Sequence, residues 1–378
     1  MSAFNSIPEN YYELCNLLRQ LPVPAEDTFK NFKEGLDLST RRICIGVGRS
    51  GDIADVFAKF LRNLGYTEVH GPEDIPYIFE PSDLVIAYSG SGTSTFTVET
   101  AKIAKEANAK LVSLTSNLGS PLEKLSDYVI HIPGKTKTEG DYYARQLLGA
   151  PYASLTPLGT SYELRALFLT LSFVGSVVRG TDVCSCYDEL RRLCEEYAPP
   201  ASELLRLYEL MPKPRSAMNP TAGKTVVIGE GLSGMVGKFF VTRLRHCARQ
   251  SEERECYFFK DKGSVRVKEN DLAFVISGSG NGVPLRLGER AKKNNVRLAV
   301  ATSYADSPLA KMADVPIIIP GRTIERTKGL RSSYFPKDPR KSLFELRTIL
   351  ALETFIYAVA QTEGVTEFDM GAKHSEFV

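Results

Sequence analysis

Short apolar runs rich in branched residues recur along the chain, at residues 43–47, 84–88, 110–114 and 128–132 and again at 225–229, 272–276, 297–301 and 315–319. Runs of this length and composition read as strands buried on both faces of a parallel sheet. Between them the apolar spacing becomes helical. Residues 52–64 place Ile53, Val56, Phe57, Phe60, Leu61 and Leu64 on one face, and Gly65 follows as a stop. Residues 96–107 and 166–178 read as further helices. Strand–helix alternation implies an α/β fold: parallel sheets flanked by helices, a flavodoxin-like three-layer α/β/α sandwich in each half. Helical stretches at 11–21, 187–196 and 201–211 precede the first strands of the two halves, punctuated by Pro199, Pro200, Pro212 and Pro214.

The halves repeat one another. Gly46-Val47-Gly48-Arg49-Ser50-Gly51 returns as Gly229-Glu230-Gly231-Leu232-Ser233-Gly234. Ser89-Gly90-Ser91-Gly92 returns as Ser277-Gly278-Ser279-Gly280, and Ser120-Pro121-Leu122 as Ser307-Pro308-Leu309. Pro133-Gly134 matches Pro320-Gly321, and Glu163-Leu164-Arg165 matches Glu345-Leu346-Arg347. Five blocks in one order, each displaced by about half the chain, indicate a tandem duplication. The expected division is residues 1–180 and 181–378.

Composition narrows the classes. The chain has 378 residues and a net charge of +2, and 43% of it is hydrophobic. That balance argues against a nucleic-acid or anionic-membrane binder. No apolar run approaches the ~20 residues of a membrane span, and the first ten residues lack the apolar core of a signal peptide. A cytoplasmic location is the expectation. The seven cysteines, odd in number and without C-x-x-C spacing, read as reduced thiols rather than disulfides or a metal site.

The chemistry is expected at the carboxyl ends of the strands, where open α/β sheets bind ligands. Two Ser/Gly-rich loops sit there in each half, each opening a helix. Small residues let backbone N–H groups approach an anion, hydroxyls add donors, and a helix N-terminus adds its dipole. Phosphate is the natural guest. Gly46, Gly48 and Gly51 also fit a dinucleotide fingerprint, with Glu68 near the required acidic position, but the hydroxyl-rich second loop argues against that reading.

Taken together, residues 46–51, 89–92, Leu114-Thr115-Ser116-Asn117, Ile132-Pro133-Gly134-Lys135-Thr136-Lys137 and 157–163 resemble 6-phospho-3-hexuloisomerases of the sugar isomerase (SIS) domain superfamily. The tail, residues 366–370 with Lys373 and His374, is similar to that family's C-terminal stretch. The resemblance implies two tandem SIS domains and interconversion of a 6-phosphorylated 3-hexulose with fructose 6-phosphate, without metal or organic cofactor. It implies Glu163 as the base that forms a cis-enediolate and His374 as a second catalytic group. Gly48, Arg49, Ser50, Ser89, Ser91, Ser94 and Thr115 would hold the phosphorylated sugar, with Ser233, Ser277, Ser279 and Glu345 as second-half equivalents. A homo-oligomer, a dimer of pseudo-dimers, is the expected assembly, with neither nucleic acid nor membrane as partner. The halves are unequal. Arg49 faces Leu232 in the repeat, and Ser94 faces Gly282, where the superfamily usually carries a phosphate-holding threonine. The first half is therefore the expected catalytic one.

Overall fold

A computed structural model describes residues 2–19, 26–134, 154–261, 266–322 and 338–373. Three helices, α1 (Ser2–Asn5), α2 (Ile7–Arg19) and α3 (Glu26–Leu38), lead into β1 (Arg41–Gly46), α4 (Gly48–Leu64), β2 (Val69–His70), β3 (Asp83–Tyr88), α5 (Thr95–Glu106), β4 (Lys110–Thr115), α6 (Pro121–Leu125) and β5 (Tyr128–His131). Helix α7 (Thr160–Arg179) closes the first half. Helices α8 (Val183–Glu195) and α9 (Ala201–Leu210) open the second. It continues as β6 (Thr225–Gly229), α10 (Gly231–His246), β7 (Cys256–Phe258), β8 (Leu272–Ile276), α11 (Val283–Lys293), β9 (Arg297–Thr302), α12 (Pro308–Met312) and β10 (Val315–Ile318). It ends on α13 (Leu343–Glu363) and α14 (Glu367–Ala372).

The two sheets are parallel throughout and share one strand order. β2-β1-β3-β4-β5 in the first half corresponds to β7-β6-β8-β9-β10 in the second. The chain steps outward from β1 to β2, then crosses to β3, so the switch point lies between the carboxyl ends of β1 and β3. The eight strands expected from the apolar runs all form, within a residue or two of their expected ends. β2 and β7 are additional, and short: β2 pairs only Val69 and His70 with Arg42 and Ile43. Two residues are too few to carry a periodic signal.

Burial explains the helices. A single apolar cluster joins Leu14, Phe57, Phe168, Phe240, Phe274 and Phe355, so the inner faces of both sheets share one core. The outer faces keep separate clusters, around Val85 and Leu111 in one half and Val275 and Leu298 in the other. Helices α7 and α13 lie within the shared core and are apolar almost all round. Helix α7 is long and apolar enough to cross a membrane by composition, but here most of it is buried inside the protein. Both helices end on a left-handed glycine, Gly180 and Gly364.

The leading helices lace the halves together. Tyr11 on α2 donates its hydroxyl to the Cys194 carbonyl at 3.1 Å, and Tyr187 on α8 donates to the Leu18 carbonyl at 2.9 Å. Arg165 on α7 donates to the carbonyls of Leu17 at 2.8 Å and Pro133 at 2.7 Å. Arg347 on α13 does the same to Leu193 at 2.6 Å and Pro320 at 2.9 Å. These bonds come in matched pairs, as a pseudo-two-fold arrangement requires. The seven cysteines are all unbridged.

Candidate functional site

The first cradle begins where β1 ends. Gly48 takes φ +57°, and a side chain on Gly46 or Gly51 would run into backbone at 2.9 or 2.8 Å. Only glycine lets the strand turn this tightly into α4, and Ser50 lies buried in its first turn. Gly229, Gly231 and Gly234 repeat the turn, with φ +58° at Gly231, and Ser233 is likewise buried.

The second cradle, residues 89–94, follows β3. Ser89 is buried and its hydroxyl accepts from Gly92 N–H at 3.1 Å, with Ser94 Oγ 3.3 Å away. Ser91 Oγ accepts from Thr93 N–H at 3.2 Å. The loop is tied back through its carbonyls: Ser116 Oγ and Thr115 Oγ1 donate to Gly90 at 2.7 and 3.3 Å, and Asn117 Nδ2 to Ser91 at 3.0 Å. Thr115 is fully buried, so its hydroxyl shapes the loop from beneath. Ser94 stands at the N-cap of α5 without a side-chain cap bond, so its hydroxyl leaves the first-turn N–H donors uncapped. That is the arrangement of an anion site.

In the second half Ser277 is buried, and Ser279 gives its carbonyl to Asn281 Nδ2 at 3.0 Å. Gly282, at φ +74°, occupies the N-cap of α11, and Pro284 stands in that helix's first turn. Proline has no N–H. This cradle therefore lacks the hydroxyl of Ser94 and one backbone donor. The sequence marks the first loss through Gly282; the second follows from Pro284, whose place in the helix's first turn the sequence analysis did not weigh.

Glu163 lies in the first turn of α7, where its Oε2 meets Arg49 at 2.5 Å. Arg49 also donates to Thr160 Oγ1 at 3.2 Å and stacks 5.8 Å over Phe239 of α10. Burial raises the proton affinity of Glu163 and Glu353 adds to the rise, while Arg49 and Arg243 oppose it; the net direction is upward. Arg49, expected among the ligand-binding groups, thus has its guanidinium engaged with Glu163 and Thr160. In the second half, Leu232 replaces the arginine, and Glu345 instead accepts from Ser233 Oγ at 2.9 Å and Arg322 at 3.3 Å. Burial raises its proton affinity as well.

A cavity of about 400 Å³ opens beside the first cradle, lined by Gly48, Asp52, Asp55, Glu73, Phe96 and, from the second half, Lys238. Lys238 sits 3.4 Å from Asp52. His374 lies outside the described residues, as do Lys135, Thr136 and Lys137. The helix just before His374 is described: Glu367 on α14 accepts from the N–H of Leu158, at the turn that opens α7, at 3.4 Å.

The profile of the SIS domain matches residues 36–167. An uncharacterised protein from Aeropyrum pernix is 37% identical over 164 residues, 42% of this chain and 76% of that protein. A protein named 3-hexulose-6-phosphate isomerase from Methylomonas aminofaciens is 31% identical over 158 residues, 41% of this chain and 80% of that protein. The chain belongs to the SIS domain family. An HTH-type transcriptional regulator from Clostridium perfringens shares 40% identity over 90 residues, 22% of this chain and 32% of the regulator, so regulatory SIS proteins are relatives too. The two-sheet fold itself is shared with a solved structure over nearly the whole chain. A putative tagatose-6-phosphate ketose/aldose isomerase from Clostridium novyi superposes over 96% of it and 88% of its own length, with TM-score 0.62 at 12% identity.

Proposed function

We propose that the chain isomerises a phosphorylated ketose, of the 3-hexulose 6-phosphate to fructose 6-phosphate type, at the first half's cradles. The carrying observation is a largely enclosed carboxylate, Glu163, its side chain 13% exposed, ion-paired to a residue of the same turn that forms the phosphate cradle. The phosphate sits on the donors of residues 48–50 and 89–94. Glu163 removes the proton at C2, the electrons move to the C3 carbonyl oxygen, and a cis-enediolate forms. The proton returns at C3 and the carbonyl appears at C2. Burial makes the carboxylate a stronger base than one in water, and Arg49 holds its orientation. The proton shift between O2 and O3 is assigned to His374, which follows in sequence the helix whose Glu367 accepts from Leu158 N–H. Residues 1–180 and 181–378 act as two tandem copies forming a pseudo-dimer, and two chains pair as a dimer of pseudo-dimers.

Glu163→Gln keeps the shape and removes the base. Turnover of the 3-hexulose phosphate is expected to fall by about 10²–10⁴-fold, while calorimetry still detects fructose 6-phosphate binding. Unchanged turnover refutes the base. A second reading, a sugar-phosphate-binding regulator, is favoured by the donor losses at Gly282 and Pro284. Ligand binding by the parent chain with no isomerisation at any pH would select it.

A further inference from the structure

Glu163, its side chain 13% exposed, is the outer end of a chain of four charges that crosses between the halves, the other three buried. Arg49 on α4 contacts Glu163 through one terminal nitrogen and lies 3.5 Å from Glu353 Oε1 through the other. Glu353 on α13 takes Arg243 Nε of α10 on its second oxygen, at 2.9 Å. Arg243, Glu353 and Arg49 are 1%, 2% and 7% exposed. Two carboxylates and two guanidiniums alternate, so the charges balance. An unpaired member at this depth is strongly unfavourable.

The quartet occurs once. Counting along the paired helices from Gly48 and Gly231, Arg243 falls opposite Phe60 and Arg49 opposite Leu232. Counting from Glu163 and Glu345, Glu353 falls opposite Leu171. The second half thus supplies two of the quartet's charges, Arg243 and Glu353, to the first half's site.

We propose that Glu353 and Arg243 are positioning residues for Glu163: they hold Arg49 between two carboxylates, so that it orients the base without fully neutralising its basicity. The proposal rests on the reading of Glu163 as the base. The charged groups facing Glu163 are Arg49 from α4, Arg243 from α10 and Glu353 from α13. Glu367 from α14 sits on the neighbouring Leu158 N–H. With Glu353 in place, Arg49 divides its attraction between two anions. Removal of the Glu353 charge leaves Arg49 and Arg243 both acting on Glu163, which holds its proton less well and becomes a weaker base. Removal of the Arg243 charge leaves the site with excess negative charge, and Glu163 holds its proton more tightly.

The test uses the full chain with carboxyl-labelled glutamate. The Glu163 signal is assigned by its loss in Glu163→Gln and followed by carbon NMR across pH. Glu353→Gln is expected to move its midpoint down, and Arg243→Met up, each on the order of one pH unit. The acid limb of kcat/KM is expected to move with it. The double variant Arg243→Met with Glu353→Leu, which removes the pair together, should bring the midpoint back between the two singles; it also serves if either single folds poorly. Shifts of the same sign, or none, overturn the proposal, because a structural role has no reason to reverse sign with charge. Opposite midpoint shifts without any matching limb in kcat/KM overturn Glu163 as the base and leave the charge coupling standing.

Discussion

Gly92 and Gly280 offer a direct comparison of the two cradles. Both take left-handed backbone, at φ +64° and +65°. A methyl group on Gly92 would lie 2.1 Å from Ser120 Oγ, 2.6 Å from its Cβ and 3.1 Å from Thr115 Oγ1. On Gly280 it would lie 2.5 Å from Ser307 Oγ, 2.6 Å from its Cβ and 3.3 Å from Thr302 Oγ1. Each serine caps a short helix, accepting from the N–H of Glu123 at 3.3 Å or Ala310 at 3.2 Å. Alanine at either site therefore meets two costs: about 1–2 kcal/mol for a left-handed alanine, and about 1 kcal/mol for a displaced cap. Gly92→Ala and Gly280→Ala should each destabilise by about 2–3 kcal/mol, or roughly 2–4 °C in Tm for a 378-residue chain whose halves share one core. Their functional effects should part. Gly92→Ala deforms the loop that carries Ser89, Ser91 and Ser94, so fructose 6-phosphate affinity should fall about tenfold or more by calorimetry, equivalent to ~1.4 kcal/mol. Gly280→Ala should leave the affinity within about twofold. Equal affinity losses would show that both cradles bind the ligand. A Tm loss confined to one variant would refute the shared packing argument.

The matched tyrosine bonds predict matched energies. Tyr11→Phe and Tyr187→Phe each remove one buried hydroxyl donor, the Cys194 carbonyl keeping the Tyr197 N–H at 3.2 Å, so each should cost about 0.5–1.5 kcal/mol in urea unfolding, and the two values should agree within ~0.5 kcal/mol; a severalfold difference would deny the pseudo-symmetry. Asp52 predicts a pH effect. Burial raises its pKa to about 7, against the pull of Lys238. The folded value lies above the unfolded one, so the stability it contributes is full below 3.8 and is lost as pH rises through about 7. Asp52→Asn removes that loss, and its advantage in unfolding free energy, read from urea titrations, should widen between pH 4 and pH 7 by up to about 2–4 kcal/mol; a flat difference would refute it.

The strands were legible because a parallel sheet buries both faces, and continuous branched runs such as 225–229 and 272–276 have few other uses. Helix ends were less so. The helix expected at 52–64 begins at Gly48, and the one expected at 166–178 begins at Thr160, because loop glycines start them earlier than the apolar stripe does. The cradles were legible as Ser/Gly loops at strand ends, and their inequality as Ser94 against Gly282. The partners of Glu163 were not. Glu353 and Arg243 lie on helices whose sequences show only that they are apolar; that they meet Arg49 depends on how the two inner layers face each other. Thr115 shows a related limit. The family resemblance marked it, the last residue of β4, as part of the site, but only the geometry shows its hydroxyl bonded to the loop's own backbone.

On the proposal that residues 1–180 and 181–378 are fused tandem copies, fusion gives a physical reason for the single quartet. In a symmetric dimer of identical chains every interface residue appears twice, related by the axis. A buried arginine at the Arg243 position would then have a twin, and so would a glutamate at the Glu353 position. With the Arg49 and Glu163 positions doubled as well, four such charges in each copy would place eight in one apolar core, each needing full compensation. In the fused chain the positions opposite can be Phe60 and Leu171, which restore apolar packing on one side while the other keeps its charges. The same freedom acts at the cradles, where Gly282 and Pro284 remove donors from one copy alone. The halves therefore need not share a task. One can keep the phosphate cradle and Glu163, while the other supplies the buried charges on which that carboxylate's basicity depends.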